Sequence, residues 1–160
     1  QVNVDDYKNY ADYKGLAGLK FQEQIEREAF KTIDSPFHAP AQRLVDFCEG
    51  KISQSLPKNS YIPGLHSQEL HHILPDFVFN SLKKAFPLFD KKMKGYFTNE
   101  AILAGVESRT SSPVRIPRNP ETFQQLQISN LYPCGEGAGY AGGITSSAID
   151  GINVARSVSL

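Results

Sequence analysis

Apolar residues recur at helical spacing through the first part of the chain. Leu16, Leu19, Ile25, Ala29, Phe30 and Ile33 fall on one broad stripe, while Glu23, Glu26, Arg27 and Lys31 populate the other side. This pattern predicts a helix over about residues 16–32. Arg27 and Lys31 stand toward its C-terminal end, where the helix dipole favours cations, and Asp34-Ser35-Pro36 ends it. A second helix is expected to open near Pro40, a residue suited to a first turn. It would bury Leu44, Val45 and Cys48 and stop at Gly50. Residues 51–64, with Pro57 and Pro63, read as loop. Ser67 is placed to cap a short helix running through His72. Pro75 then starts a longer helix over 76–86 that buries Val78, Leu82, Ala85 and Phe86, and Pro87 breaks or kinks it.

The pattern changes after Gly95. Residues 102–107 and 114–116 read as short strands, 128–134 contains another, and 144–158 reads as a final helix. On that helix Ile144, Ala148, Ile152 and Ala155 share a face suited to close packing on a sheet. Ser147 and Gly151 keep the neighbouring ridge low, and Asp150 is expected to be solvated. A strand near Leu131 is expected to pair with 102–107, with 114–116, or with another copy of the chain, because a bare edge is a liability. All the lysines precede Gly95, and half of the glycines fall between Gly135 and Gly151. The expected fold class is α+β.

Composition narrows the function classes. Lys and Arg number 17, as do Asp and Glu, for a net charge of +0, so no global field points to nucleic acid or to an anionic membrane. No window approaches the ~18 uninterrupted apolar residues of a spanning helix. The opening Gln1-Val2-Asn3-Val4-Asp5-Asp6 is polar and acidic, unlike a signal peptide. The chain begins with Gln1 and its only methionine is Met93, so a fragment of a longer product is expected. Cys48 and Cys134 lie far apart, there is no Asn-x-Ser/Thr sequon, and a reduced pair in a cytoplasmic protein is the expectation.

The segment with the most chemistry runs from Asn130 through Tyr132-Pro133-Cys134-Gly135-Glu136-Gly137-Ala138-Gly139-Tyr140-Ala141-Gly142-Gly143 to Ile144. A short apolar strand, an acid, a glycine-rich turn and a helix are expected in that order. Glycines let the backbone approach a ligand closely. The turn would deliver N–H groups at a helix start, where several donors lack internal partners and the dipole adds positive charge. Such a place suits a phosphate or the carbonyl oxygen of a heterocycle, and Glu136 can accept hydrogen bonds from ribose or ribityl hydroxyls. On these features alone a ligand-binding turn and a bare strand-to-helix turn stand equal. Gly135-Glu136-Gly137 with Gly139 and the Gly142-Gly143 pair reads as a spacing different from the dinucleotide fingerprint G-x-G-x-x-G with an acid ~20 residues later, and too little sequence follows for a βαβ unit. Upstream, Glu107, Arg109, Arg115 and Arg118 alternate with hydroxyl residues around Pro113. Arg109 could present a bidentate fork to a cofactor or an anionic substrate, or belong to a surface ion-pair patch with Glu107.

The stretch 131–144 resembles the last motif of the bacterial FAD-dependent dehydrogenases described as NAD(FAD)-utilising. The stretch Gly105 to Arg118 is similar to the motif that precedes it in that family. Gly15-Leu16-Ala17-Gly18-Leu19-Lys20-Phe21-Gln22-Glu23 and Ala39-Pro40-Ala41-Gln42-Arg43 match as well, so the resemblance covers nearly everything from Gly15 onward. It implies an oxidoreductase with FAD as cofactor and NAD(P) as a further nucleotide. It divides the chain into residues 1–100, a mainly helical substrate or cap portion, and 101–160, the terminal strands and last helix of an FAD/NAD(P)-binding α/β domain. It places Glu136 where an acid binds the ribityl chain, and Gly142, Gly143 and Ile144 at a helix start facing the flavin pyrimidine edge, with Gly135 in the turn and Arg109 facing cofactor or substrate. The family's phosphate-binding glycine fingerprint belongs near the N-terminus of the whole protein, outside these residues. The implied partners are therefore that missing N-terminal part and a small-molecule substrate, and this chain alone is expected to be inactive. No residue reaches the standard for a catalytic base.

Other signals are set aside. His66, His71 and His72 stand at i, i+5 and i+6, with the adjacent pair expected on different faces, so no metal site is expected. Lys83, Lys84, Lys91, Lys92 and Lys94 read as a solvated face, and Cys134 as a small residue packed under the glycine turn. Two rival functions remain: a non-enzymatic helical interaction module, and a stand-alone phosphate- or nucleotide-binding domain.

Overall fold

The structure, a computed structural model, describes residues 2–158. Gln1, on which the expectation of a fragment rests, lies outside the described residues together with Ser159 and Leu160. Among the described residues four α-helices and a three-stranded mixed sheet form an α+β protein. The elements are α1 (Ala17–Lys31), β1 (Ala39–Arg43), α2 (Leu44–Glu49), β2 (Leu65–Ser67), α3 (Asp76–Lys92), β3 (Ile102–Ala104) and α4 (Ile144–Val158). Segments of 3-10 helix run over Val4–Leu16 and Leu70–His72. The chain forms two compact units: one is residues 23–108, and the other joins the chain up to Gln22 with the chain from Arg109 onward. No helix among the described residues is long and apolar enough to cross a membrane.

The 23–108 unit holds the sheet, in the order β2-β1-β3. β1 runs parallel to β2, with Ala39 opposite Leu65, and antiparallel to β3, with Ala41 opposite Ala104. The helix expected from Pro40 therefore begins only at Leu44. A residue preceding proline is pushed toward extended backbone, and that preference sets Ala39 and Pro40 in a strand. α2 then stops at Gly50, where the sequence placed its end. Ser67 caps no helix either: it ends β2, and its hydroxyl donates to the Ser53 carbonyl at 2.6 Å.

The core of this unit gathers Ala29, Leu44, Phe47, Cys48, Leu70, Ile73 and Phe86. Phe47 is 0% exposed and meets the rings of Phe79 and Phe86 edge to face at 5.0 and 5.9 Å. Gln42, also wholly buried, uses both ends of its amide. Its Nε2 donates to the Lys51 carbonyl at 2.6 Å, and its Oε1 accepts from the Leu70 amide at 3.0 Å. That satisfaction explains how a polar side chain stands in the central strand. α3 runs on through Pro87 to Lys92 instead of breaking at it. Proline removes the bond to the carbonyl four residues back, here that of Lys83. The Cys48 thiol lies 3.9 Å from that oxygen and donates to it. Burial pushes the Cys48 thiol pKa up, which keeps the proton on sulfur.

In the other unit, Tyr7 and Tyr10 set their rings 6.1 Å from Phe21, and Gly18 lies so close to Pro113 that an added Cβ would be 2.9 Å from the proline Cβ. The strands expected at 114–116 and within 128–134 do not form, and 102–107 is a strand only over β3. Instead the Ile116 amide donates to the Ala138 carbonyl at 3.1 Å, the Gln125 amide donates to the Leu131 carbonyl at 2.8 Å, and Arg118 makes an isolated bridge with Gln125. Pro113, Pro117, Pro120 and Pro133 interrupt these stretches. Each removes a donor that a ladder needs, so the expected pairing of a strand at Leu131 has no ladder to form. α4 has the bounds the sequence predicts.

Candidate functional site

The glycine turn closes on itself before α4 begins. The Gly139 amide donates to the Glu136 carbonyl at 2.9 Å and the Tyr140 amide to the Gly135 carbonyl at 3.0 Å. Those two donors are consumed, whereas the amides of the first turn of α4 have no intrahelical acceptors. Gly137, Gly139 and Gly142 stand at G-x-G-x-x-G spacing, a match that the sequence reading passed over. Here irregular backbone and not a strand leads into the turn, so the context that gives the fingerprint its meaning is missing.

Beneath the turn lies an ion pair that the sequence did not reveal. Arg118 Nη2 is 2.6 Å from Asp150 Oδ1, and its Nη1 donates to Asp150 Oδ2 at 3.0 Å and to the Pro133 carbonyl at 2.7 Å. The Gly135 amide donates to the same Asp150 oxygen at 2.8 Å. The Arg118 guanidinium lies 3.6 Å from the Tyr140 ring centre and 4.7 Å from that of Phe123. The side chains of Arg118 and Asp150 are only 7% and 15% exposed. The hydrogen bonds from Arg118, assisted by the Gly135 amide, hold the Asp150 carboxyl below its ordinary pKa, while the same pairing raises that of Arg118. Asp150, expected in solvent, therefore ties α4 to the turn. Its signal was present as an acid on the low ridge of small residues Ser147 and Gly151.

A cleft of about 450 Å³ opens beside the turn, lined by Leu19, Gln22, Arg109, Ser111, Ser112, Pro113, Val114, Glu136 and Gly137. It unites two residues that the sequence singled out 27 positions apart, Arg109 and Glu136. Gly135, Gly142, Gly143 and Ile144 do not line it; Ile144 is 93% exposed at the head of α4. Cys134 is exposed and not packed under the loop. The Glu136 carboxylate is half-buried, and no hydrogen bond or ion pair ties it among the described residues. A Cβ added at Gly137 or at Gly142 would meet nothing within 4 Å, and the Ser147 hydroxyl under the turn is buried without a partner. Open space, a carboxylate acceptor and helix-head donors fit the hydroxyls and carbonyl edge of a flavin. These residues hold no βαβ cradle for its diphosphate.

Residues 1–110 match the family described as FAD-dependent protein, C-terminal domain-like. The chain belongs to this family. A Clostridium beijerinckii protein of uncharacterised function is 45% identical over 152 residues, which cover 92% of this chain and 28% of that relative. The chain thus spans little more than a quarter of the relative's length. The alignment is long enough to include the glycine turn, which lies beyond the family match.

Proposed function

We propose that the chain is the C-terminal part of an FAD-dependent oxidoreductase of the dehydrogenase type, and that it closes a flavin site whose phosphate-binding half lies elsewhere in the same protein. The 23–108 unit, which holds β3 with the rest of the sheet, serves as the substrate or cap portion, and the unit that carries the glycine turn and α4 as the closing part of the FAD-binding domain. The observation that carries this reading is the cleft shared by Arg109 and Glu136 in a chain of an FAD-dependent family. Glu136 accepts hydrogen bonds from the ribityl hydroxyls. The amides of Gly142 and Gly143, which lead into α4, and of Ile144 at its head meet the carbonyl edge of the ring. Arg109 orients the cofactor or an anionic substrate. The flavin, when bound, supplies the hydride chemistry, and the protein supplies binding, orientation and charge.

The final helix supports a partner from the same polypeptide. Ile144 is 93% exposed, Ile149 55% and Ile152 52%, whereas Val154 on the other side is buried. Ala148 and Ala155 are exposed with them, so the face that the sequence marked for close packing is open in this chain. An apolar stripe rimmed by polar residues marks a contact surface, and the relative carries the remaining polypeptide that could cover it. Ile152→Asp should change the stability of this chain by less than ~0.5 kcal/mol, as exposed substitutions do, yet lower the melting temperature and flavin content of the full-length parent. Equal tolerance in both would place the face in solvent.

Flavin content of the full-length parent tests the site. Removing an acceptor that bonds in its charged form costs about 1.5–3 kcal/mol, so Glu136→Ala should weaken flavin retention roughly 10- to 100-fold, and this chain alone should purify colourless. Undiminished flavin in the Glu136→Ala parent would overturn the assignment. Tight nucleotide uptake by this chain alone would favour instead the stand-alone reading that the Gly137, Gly139 and Gly142 spacing suggests.

A further inference from the structure

Glu69, His71 and His72 come together at the 3-10 turn Leu70–His72, just after β2. Spacing along an α-helix would send the adjacent histidines apart, but this turn brings their ring centres to 4.0 Å with an interplanar angle of 41°. One ligand atom from each of the three residues lies within 4.8 Å of the other two, and His72 Nε2 is 3.8 Å from Glu69 Oε2. His71 is the fixed member. Its ring packs 5.4 Å from Phe79, and its Nδ1 is buried with no hydrogen-bond partner. A buried polar nitrogen without a partner is costly and calls for a specific reason. The side chains of Glu69 and His72 are 34% and 70% exposed, so both are free to close on an ion.

We propose that Glu69, His71 and His72 bind a divalent transition-metal ion of the zinc class. Two imidazoles and one carboxylate are the donor set that suits such ions. Zinc bonds of ~2.0–2.2 Å draw the ligand atoms closer than they stand without it, a closure that rotation of the His72 and Glu69 side chains supplies. Three protein ligands leave one position for water or an exogenous ligand. Magnesium, which prefers oxygen ligands and sheds water reluctantly, is the wrong ion for it. The site does not depend on the flavin reading, because none of its residues lines the cleft of Arg109 and Glu136.

Calorimetric titration of the whole chain with zinc, and with cobalt followed by its visible bands, tests the proposal. One ion per chain is expected, with tetrahedral cobalt absorption and no competition from magnesium. His72→Ala at an exposed side chain, and the isosteric Glu69→Gln at a half-buried one outside the core, should each weaken binding at least tenfold. His38→Ala should leave it unchanged, since His38 belongs to a separate group in which it and His66 flank Asp34. Absence of zinc binding, binding indifferent to both His72→Ala and Glu69→Gln, or binding lost in His38→Ala would each overturn the assignment.

Discussion

Asp150→Ala should destabilise the glycine-turn unit by about 2–4 kcal/mol, a little under the ~3–5 kcal/mol of a fully buried pair because Asp150 keeps some access to water. The loss has two sources. Arg118, 7% exposed, keeps its charge with its main partner gone, and the Gly135 amide loses its acceptor. Arg118→Met, which removes the charge and retains much of the packing against Tyr140 and Phe123, should cost less than Asp150→Ala if the stranded guanidinium dominates. Urea denaturation of the whole chain, followed by hydrogen exchange at Gly135 and along α4, separates the two. Acid adds a second signature. The folded-state pKa of Asp150 lies below its ordinary 3.8, so its contribution is in place above the unfolded value and is lost as pH falls through the folded one. Native chain should therefore lose stability below about pH 3.8, with a shallower slope in Asp150→Ala. An unchanged unfolding midpoint in Asp150→Ala would remove the pair from the determinants of this unit.

What the sequence made legible follows the range of the interactions. α1 and α4 were readable because a helix records its own hydrogen bonds in a local period and in its end residues. β1 was misread because its partners in β2 and β3 lie 26 and 59 to 63 residues away, and Pro40 taken alone suits a helix start. The strands expected near Val114 and Leu131 failed for a related reason: apolar content was present, but prolines on every side left no donors for a ladder. Beside the turn, Arg109 and Glu136 were singled out by residue type and line one cleft, whereas the spacing of Gly137, Gly139 and Gly142 was passed over. The Arg118–Asp150 pair did not declare itself, since a single acid on a helix reads as solvated unless its distant cation is known. The face of α4 is the converse case. Its apolar stripe was expected to pack closely on a sheet, whereas among the described residues Ile144, Ala148, Ile152 and Ala155 are all exposed.

Gly139→Ala should be the most damaging single change in the turn, by more than about 3 kcal/mol. Gly139 has a φ of 82°, and an added Cβ would lie 2.5 Å from the Val114 carbonyl oxygen and 3.0 Å from the Arg115 Cα. The left-handed conformation alone costs an L-residue about 1–2 kcal/mol, and both obstacles are backbone atoms that side-chain rotation cannot move aside. The same substitution at Gly142 meets open space and should alter the stability of this chain by no more than ~0.5 kcal/mol. The contrast divides the glycines by purpose. Gly139 is required by the fold whether or not anything binds, so its loss says nothing about a cofactor. Gly142 is not required by the fold of this chain. If the space beside it receives the flavin edge, Gly142→Ala must leave the melting curve of this chain intact while lowering flavin occupancy in the full-length parent. A Gly142→Ala parent that folds and keeps its full flavin complement would overturn the placement of the flavin edge in the space beside Gly142.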